Sequence, residues 1–142
     1  MNKDIQINRP TLGPFMSVTC FRYLHDDALD LAGPALVTDA GRQRGHDLIE
    51  ELGLLGSKPA AAHLQEELLK ALGPDGTRLC LLQNLKETED GGYEVRSKEC
   101  VSPTYTVGVL VGAISAVTGQ TFIGSHAEGA TPDERVYSIK PL

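Results

Sequence analysis

The chain has 142 residues and a net charge of −6, from 13 Lys and Arg against 19 Asp and Glu; the length suits one domain spanning 1–142. The acidic balance, with no Lys/Arg cluster, argues against non-specific nucleic-acid binding. Hydrophobic residues make up 41% and charged ones 23%, a globular mixture, and with no Trp, three Phe and four Tyr the core must be aliphatic.

From the N-terminus, residues 4–8 (DIQIN) alternate apolar and polar and predict a short strand that Pro10 stops. Thr11 then suits a helix cap, with Pro14 in the first turn and Phe15, Val18 and Arg22 along one face. Phe15, Met16, Phe21, Tyr23 and Leu24 make this the most adhesive part of the N-terminal half, suited to self-packing or to a subunit contact. HDDALDLAG (25–33) reads as a short acidic connection or a small helix. Pro34 opens a helix over 34–52 with Leu36, Val37, Ala40, Leu48 and Ile49 inward, and Gly53 follows as its stop. Gly41 and Gly45, mid-helix and one turn apart, each cost about 1 kcal/mol against Ala, so something must approach that face closely. The charged side with Arg42, Arg44, His46, Asp47 and Glu50 is read as solvated.

Ser57 and Pro59 begin the next helix, AAAHLQEELLKALG, with Leu64, Leu68 and Leu72 inward. TRLCLLQNLKE (77–87) and YEVRSKECV (93–101) flank a Gly-containing turn and predict an antiparallel hairpin, with Tyr93, Val95 and Ser97 on one face. A helix over 103–118 follows, capped by Ser102, opened by Pro103 and ended by Gly119. Val107, Leu110, Val111, Ile114 and Val117 form its apolar stripe, beside the small stripe Gly108, Gly112 and Ser115. Too few apolar residues follow one another for a membrane span. QTFIG (120–124) and RVYSIKP (135–141) predict a last strand pair around the polar loop SHAEGATPDE. The order (β)αααββαββ implies an α+β fold, an antiparallel sheet of about four strands packed against helices.

Familiar catalytic signatures are missing: GxxxxGK[ST], GxGxxG after a strand, HExxH, GxSxG and CxxC. No acid–base or nucleophile arrangement stands out, so catalysis is the least favoured class. Three widely spaced cysteines, Cys20, Cys80 and Cys100, are no disulfide framework, and MNKDIQINRP lacks the apolar run of a signal peptide, so a cytoplasmic chain is expected. Cys100 precedes a helix N-terminus, where the dipole favours thiolate. With His126 and Glu128, and with Asp133 or Glu134 nearby in sequence, it offers sulfur, imidazole and carboxylate, a set that suits zinc. The alternative is a small buried cysteine beside an ordinary polar loop.

Cys100, Tyr105, Gly108, Gly112, Ser115, Gly119 and the closing strand RVYSIKP, with Leu12-Gly13 and GRQRGHDLIEELG as weaker support, carry a resemblance. The chain resembles the 4-vinyl reductase domain family, whose fold is similar to the small subunits of the TRAPP vesicle-tethering complex. The resemblance implies a domain that binds a small hydrophobic, aromatic hydrocarbon or tetrapyrrole-type molecule between helices and sheet. It also implies zinc in some members, held by a cysteine before the helix and two later cysteines. Here only Cys100 remains, so His126 or Glu128 would stand in, and without such a zinc no cofactor is expected. The expected ligand-binding residues are Arg22, Tyr23, Tyr105, Gly108 and Gly112, on the argument that small residues beside aliphatic stripes either let backbones close or leave room for an apolar guest. A homodimer is expected from the apolar N-terminal helix and from the pairing habit of the resembled fold. The alternative function is a scaffolding or assembly protein using such a dimer surface.

Overall fold

Four antiparallel strands and four helices are found among the described residues, which are 5, 8–13 and 16–142 of a computed structural model. The helices are α1 (Val18–Ala32), α2 (Pro34–Glu51), α3 (Ala61–Leu72) and α4 (Pro103–Thr118). The strands are β1 (Leu81–Glu87), β2 (Tyr93–Lys98), β3 (Phe122–Glu128) and β4 (Arg135–Pro141), in the sheet order β1-β2-β4-β3. This is the α+β architecture expected from the sequence.

The buried helix α4 organises the molecule. From Thr106 to Ile114 every residue is buried, so this helix is covered on all sides rather than amphipathic. Ser102 caps it by accepting from the Tyr105 N–H at 3.1 Å, and Gly119, at φ 73°, ends it in the left-handed region that glycine adopts freely. Two of its last carbonyls, on Ala116 and Val117, accept from the N–H groups of Gly56 and Lys58 at 2.8 Å each, so the loop after α2 seals that end. The sheet covers one side of α4: a Cβ on Gly124 of β3 would press against the side chains of Val107 and Val111.

Helix α2 covers the opposite side. A Cβ on Gly41 would collide with the Tyr105 carbonyl, and one on Gly45 with the Val109 carbonyl. Reciprocally, a Cβ on Gly108 would meet the Thr38 carbonyl, and one on Gly112 the Arg42 carbonyl. Four glycines, two per helix, thus let the backbones touch, so at this contact the helices close and leave no room for the apolar guest expected beside Gly108 and Gly112. Leu36 and Ala40 turn outward, because the buried stripe of α2 runs through Val37, Gly41, Gly45, Leu48 and Ile49.

Helix α3 packs Leu64, Leu68 and Leu72 beneath β1. Where the β1 register shifts between Leu82 and Asn84, the Gln65 side chain spans the bulge, accepting from Leu85 N–H at 2.9 Å and donating to the Gln83 carbonyl at 3.4 Å.

Helix α1 departs most from expectation. Its cap is Ser17, which accepts from Cys20 N–H at 3.2 Å, and it absorbs the segment 25–32 that reads from sequence as a connection. Pro14 and Phe15 and most of the expected 4–8 strand lie outside the described residues. No residue of α1 is fully buried; Phe21, His25, Ala28 and Leu29 turn inward while Leu24 and Leu31 stay 64% and 88% exposed.

Candidate functional site

A cavity of about 390 Å³ opens where α1 approaches the body of the domain. Met16, Val18 and Phe21 form its outer wall, and Leu72, Leu79, Val101 and Val109 its floor. Tyr105, Arg44 and Arg78 are the large polar side chains lining it, with Ser17 and Thr77 beside them. Each arrives for a local reason. Tyr105 sits in the first turn of α4, where Ser102 fixes the backbone. Arg44 lies on α2 between Gly41 and Leu48 at helical spacing, so it shares the face turned toward α4 and reaches past it. Arg78 has φ 59° and is held by donating from Nε to the Pro74 carbonyl at 3.3 Å.

The Phe21 ring packs edge-on to Tyr105 at 6.0 Å between centroids and lies 5.5 Å from His25. Burial pushes the Tyr105 hydroxyl up from its ordinary pKa, against the downward pull of the Arg44 charge. The arrangement can enclose an apolar body while offering a phenol hydroxyl and two guanidinium groups to a polar one.

Behind the cavity lies a buried polar cluster. Cys100 Sγ is 3.1 Å from Thr106 Oγ1 and accepts from the Tyr137 hydroxyl at 3.3 Å. Tyr137 Oη is in turn 2.9 Å from Ser97 Oγ. The Cys100 pKa is pushed down to about 6, first by the hydrogen bond from Cys80, then against burial by Thr106, Tyr137 and the Ser102 N–H. The same hydrogen bond and burial push Cys80 up, and burial raises Tyr137.

A second relay joins α1 to α4. Asp26 Oδ1 lies 3.1 Å from His25 Nδ1, and His25 Nε2 lies 2.7 Å from Ser102 Oγ. The order of groups is that of a nucleophile relay, yet Ser102 is only 2% exposed and its oxygen caps α4. It therefore works as a tether between helices. Nothing in the sequence spacing signalled it.

Of the expected ligand-binding residues, only Tyr105 lines the cavity. Arg22 and Tyr23 are exposed on α1, the guanidinium 5.3 Å above the ring. Gly108 and Gly112 are covered by the backbone of α2 and are packing residues. The expected zinc ligands do not converge. Among the described residues, the one group of three His, Cys, Asp or Glu with ligand atoms within 4.8 Å of one another is His46, Asp47 and Glu50, all exposed. Cys100 is engaged by its hydroxyl and thiol neighbours, while His126 and Glu128 lie exposed on β3. His126 approaches the cluster only at its edge, 6.4 Å from Tyr137 between ring centroids. Asp133 accepts from Glu99 N–H at 3.2 Å, and Glu134 pairs with Arg96 at 3.1 Å, so both already have structural partners. The residues present do not fit a zinc centre. No helix among the described residues is long and apolar enough to cross a membrane.

No family model matches the chain, and no curated protein matches it. Solved structures do. The phenol-responsive sensory domain of the transcription activator PoxR, solved with phenol, superposes at a TM-score of 0.67 with 13% identity, over 89% of this chain and 76% of that one. A vinyl-4-reductase family protein from Methanocaldococcus jannaschii gives 0.57 and 14%, over 92% and 85%. An H-NOX protein from S. oneidensis in the Fe(II) ligation state gives 0.56 and 15%, over 94% and 80%. At these identities the likeness is one of fold, and the fold is the one that the sequence resemblance implied.

Proposed function

We propose that this domain binds a small, mostly apolar molecule of about one aromatic ring, seated in the cavity beneath α1 with its polar group toward Tyr105, Arg44 and Arg78. The cavity carries this reading. Its volume of about 390 Å³ falls in the range of small-molecule sites, roughly 300–1,000 Å³, and apolar walls with a few convergent polar groups are their usual make-up. The fold shared with a sensory domain solved with phenol supports the same class of ligand. A tetrapyrrole would need more room than one ring, so the aromatic form of the expectation is preferred. The odd number and wide spacing of the cysteines, which form no disulfide framework, support a reducing, cytoplasmic setting.

The test is a thermal-shift titration with phenols, aromatic carboxylates, fatty acids and tetrapyrroles. Ligands that bind the native state alone raise the midpoint as occupancy rises. One-ring phenols or carboxylates are expected to do so, and Tyr105→Phe should weaken them by about 1 kcal/mol through a lost hydrogen bond. No shift from any class would overturn the proposal.

A second reading rests on a separate observation. Cys20, Leu24 and Leu31 lie along one outward side of α1, and among the described residues no other element covers it. A second copy of the chain, joined through α1 in an isologous contact, would bury that stripe. This is the homodimer, and it also supports the assembly or scaffolding alternative, since the TRAPP-like expectation concerns such a surface.

A further inference from the structure

Cys80 and Cys100 come together through the end of the hairpin. The β1–β2 register runs down to Leu81 opposite Lys98, and beyond it Val101 N–H donates to the Leu79 carbonyl at 3.0 Å. Between those two rungs stand Cys80 on one strand and Glu99 and Cys100 on the other. Glu99, with φ 52°, is the extra residue, so Cys100 is the residue that faces Cys80. Facing residues of an antiparallel pair have Cα atoms about 4.5–5.5 Å apart, inside the roughly 4.4–6.8 Å window of a disulfide. Both are free thiols, and their mutual influence pushes Cys80 up and Cys100 down. A second cavity of about 280 Å³, lined by Gly73, Pro74, Arg78, Cys80, Leu81 and Glu99, reaches Cys80, while Cys100 is itself only half-buried.

We propose that Cys80 and Cys100 are a redox site, closed to a disulfide by hydrogen peroxide and reopened by a small thiol. The Cys100 sulfur attacks one peroxide oxygen; the S–O bond forms, the O–O bond breaks, and the departing oxygen leaves as water with the thiol proton. Cys100 is then a sulfenic acid, and its hydroxyl neighbours Thr106 and Tyr137 stay in contact with it. The Cys80 sulfur attacks the Cys100 sulfur; the S–S bond forms, the S–O bond breaks, and hydroxide leaves as water with the Cys80 proton. Two thiols and one peroxide become one disulfide and two waters. The bond ties together the segments that carry Leu79 and Val101, both on the floor of the larger cavity.

The experiment uses the folded chain with the exposed Cys20 changed to Ser, which removes the thiol free to cross-link between molecules. After stoichiometric hydrogen peroxide, denaturation and alkylation, the intact mass should fall by two hydrogens relative to untreated chain. Neither Cys80 nor Cys100 should alkylate, a proteolytic digest should contain the linked peptides, and dithiothreitol should restore both thiols. Adding Cys80→Ser should stop the reaction at the sulfenic acid, captured at Cys100 by dimedone, with the native circular dichroism retained. Two alkylated thiols after peroxide would overturn the proposal, as would sulfinate at Cys100 beside a free Cys80 in the chain that keeps both.

Discussion

Tyr105 is the residue on which sequence and structure meet. Its place in the first turn of α4, after Cys100 and the Ser102 cap, made it a candidate, and it does line the cavity. Because burial raises its pKa, the fold prefers the neutral phenol. That contribution is complete below the unfolded value of about 10 and is lost as pH rises through the higher folded value. Urea denaturation should therefore show the unmodified chain losing stability above about pH 10 more steeply than Tyr105→Phe. Tyr93 and Tyr137 titrate in both chains, so the difference isolates Tyr105; parallel pH profiles would contradict the assignment. The other cavity cations were readable only in part. Arg44 keeps helical step with Gly41 and Leu48, a spacing that places it on the buried face, whereas its charged neighbours suggested a solvated one. Arg78 depends on a left-handed turn after α3 that no residue pattern signals. Arg22 and Tyr23 lie exposed on α1, away from the cavity lining; polar type and sequence position do not reveal which side of α1 faces the body.

At the scale of elements, the paired glycines of α2 and α4 were legible as a demand for close approach, and helix-on-helix contact is what they serve. Gly45→Ala should gain about 1 kcal/mol of helix propensity yet lose more by forcing two backbones apart, for a net destabilisation of roughly 1–3 kcal/mol. A urea midpoint equal to or above that of the unmodified chain would show the helices free to separate. Helix α1 was legible in composition and not in extent. Its acidic half looked like a connection, because Asp26, Asp27 and Asp30 interrupt the apolar run, and the sequence does not show that Ala28 and Leu29 pack inward between them. Its uncovered stripe belongs to the dimer reading. Sedimentation at micromolar concentration should find a dimer, and Leu24→Asp should turn it into a monomer, since an unpaired carboxylate cannot be buried cheaply in an apolar contact. A monomer of the unmodified chain under those conditions would contradict the reading.

For the whole molecule, the presence of four strands and their hairpin partners followed from alternation and turn residues, but β3 runs on through Ser125 to Glu128, which read as loop because most of them are polar. The pairing of β2 with β4 that completes the sheet joins residues about 40 apart and leaves no local trace. The cavity is of the same kind. Met16 to Val18, Phe21, Arg44, Leu72, Thr77 to Leu79, Val101 and the first turns of α4 become neighbours only once the sheet, α4 and α2 have stacked. The stripes of small residues pointed to a guest elsewhere, at the α2–α4 contact, where the backbones in fact close. The central claim is occupancy of the cavity beneath α1 by a one-ring ligand. Methyl-resolved NMR tests it most directly, with phenol titrated into protein labelled at Leu and Val methyls. Resonances of Leu72, Leu79, Val101 and Val109 should move together and saturate, while those of the outward Leu24 and Leu31 stay fixed. Saturating shifts confined to Leu24 and Leu31, or no shifts at all, would contradict it.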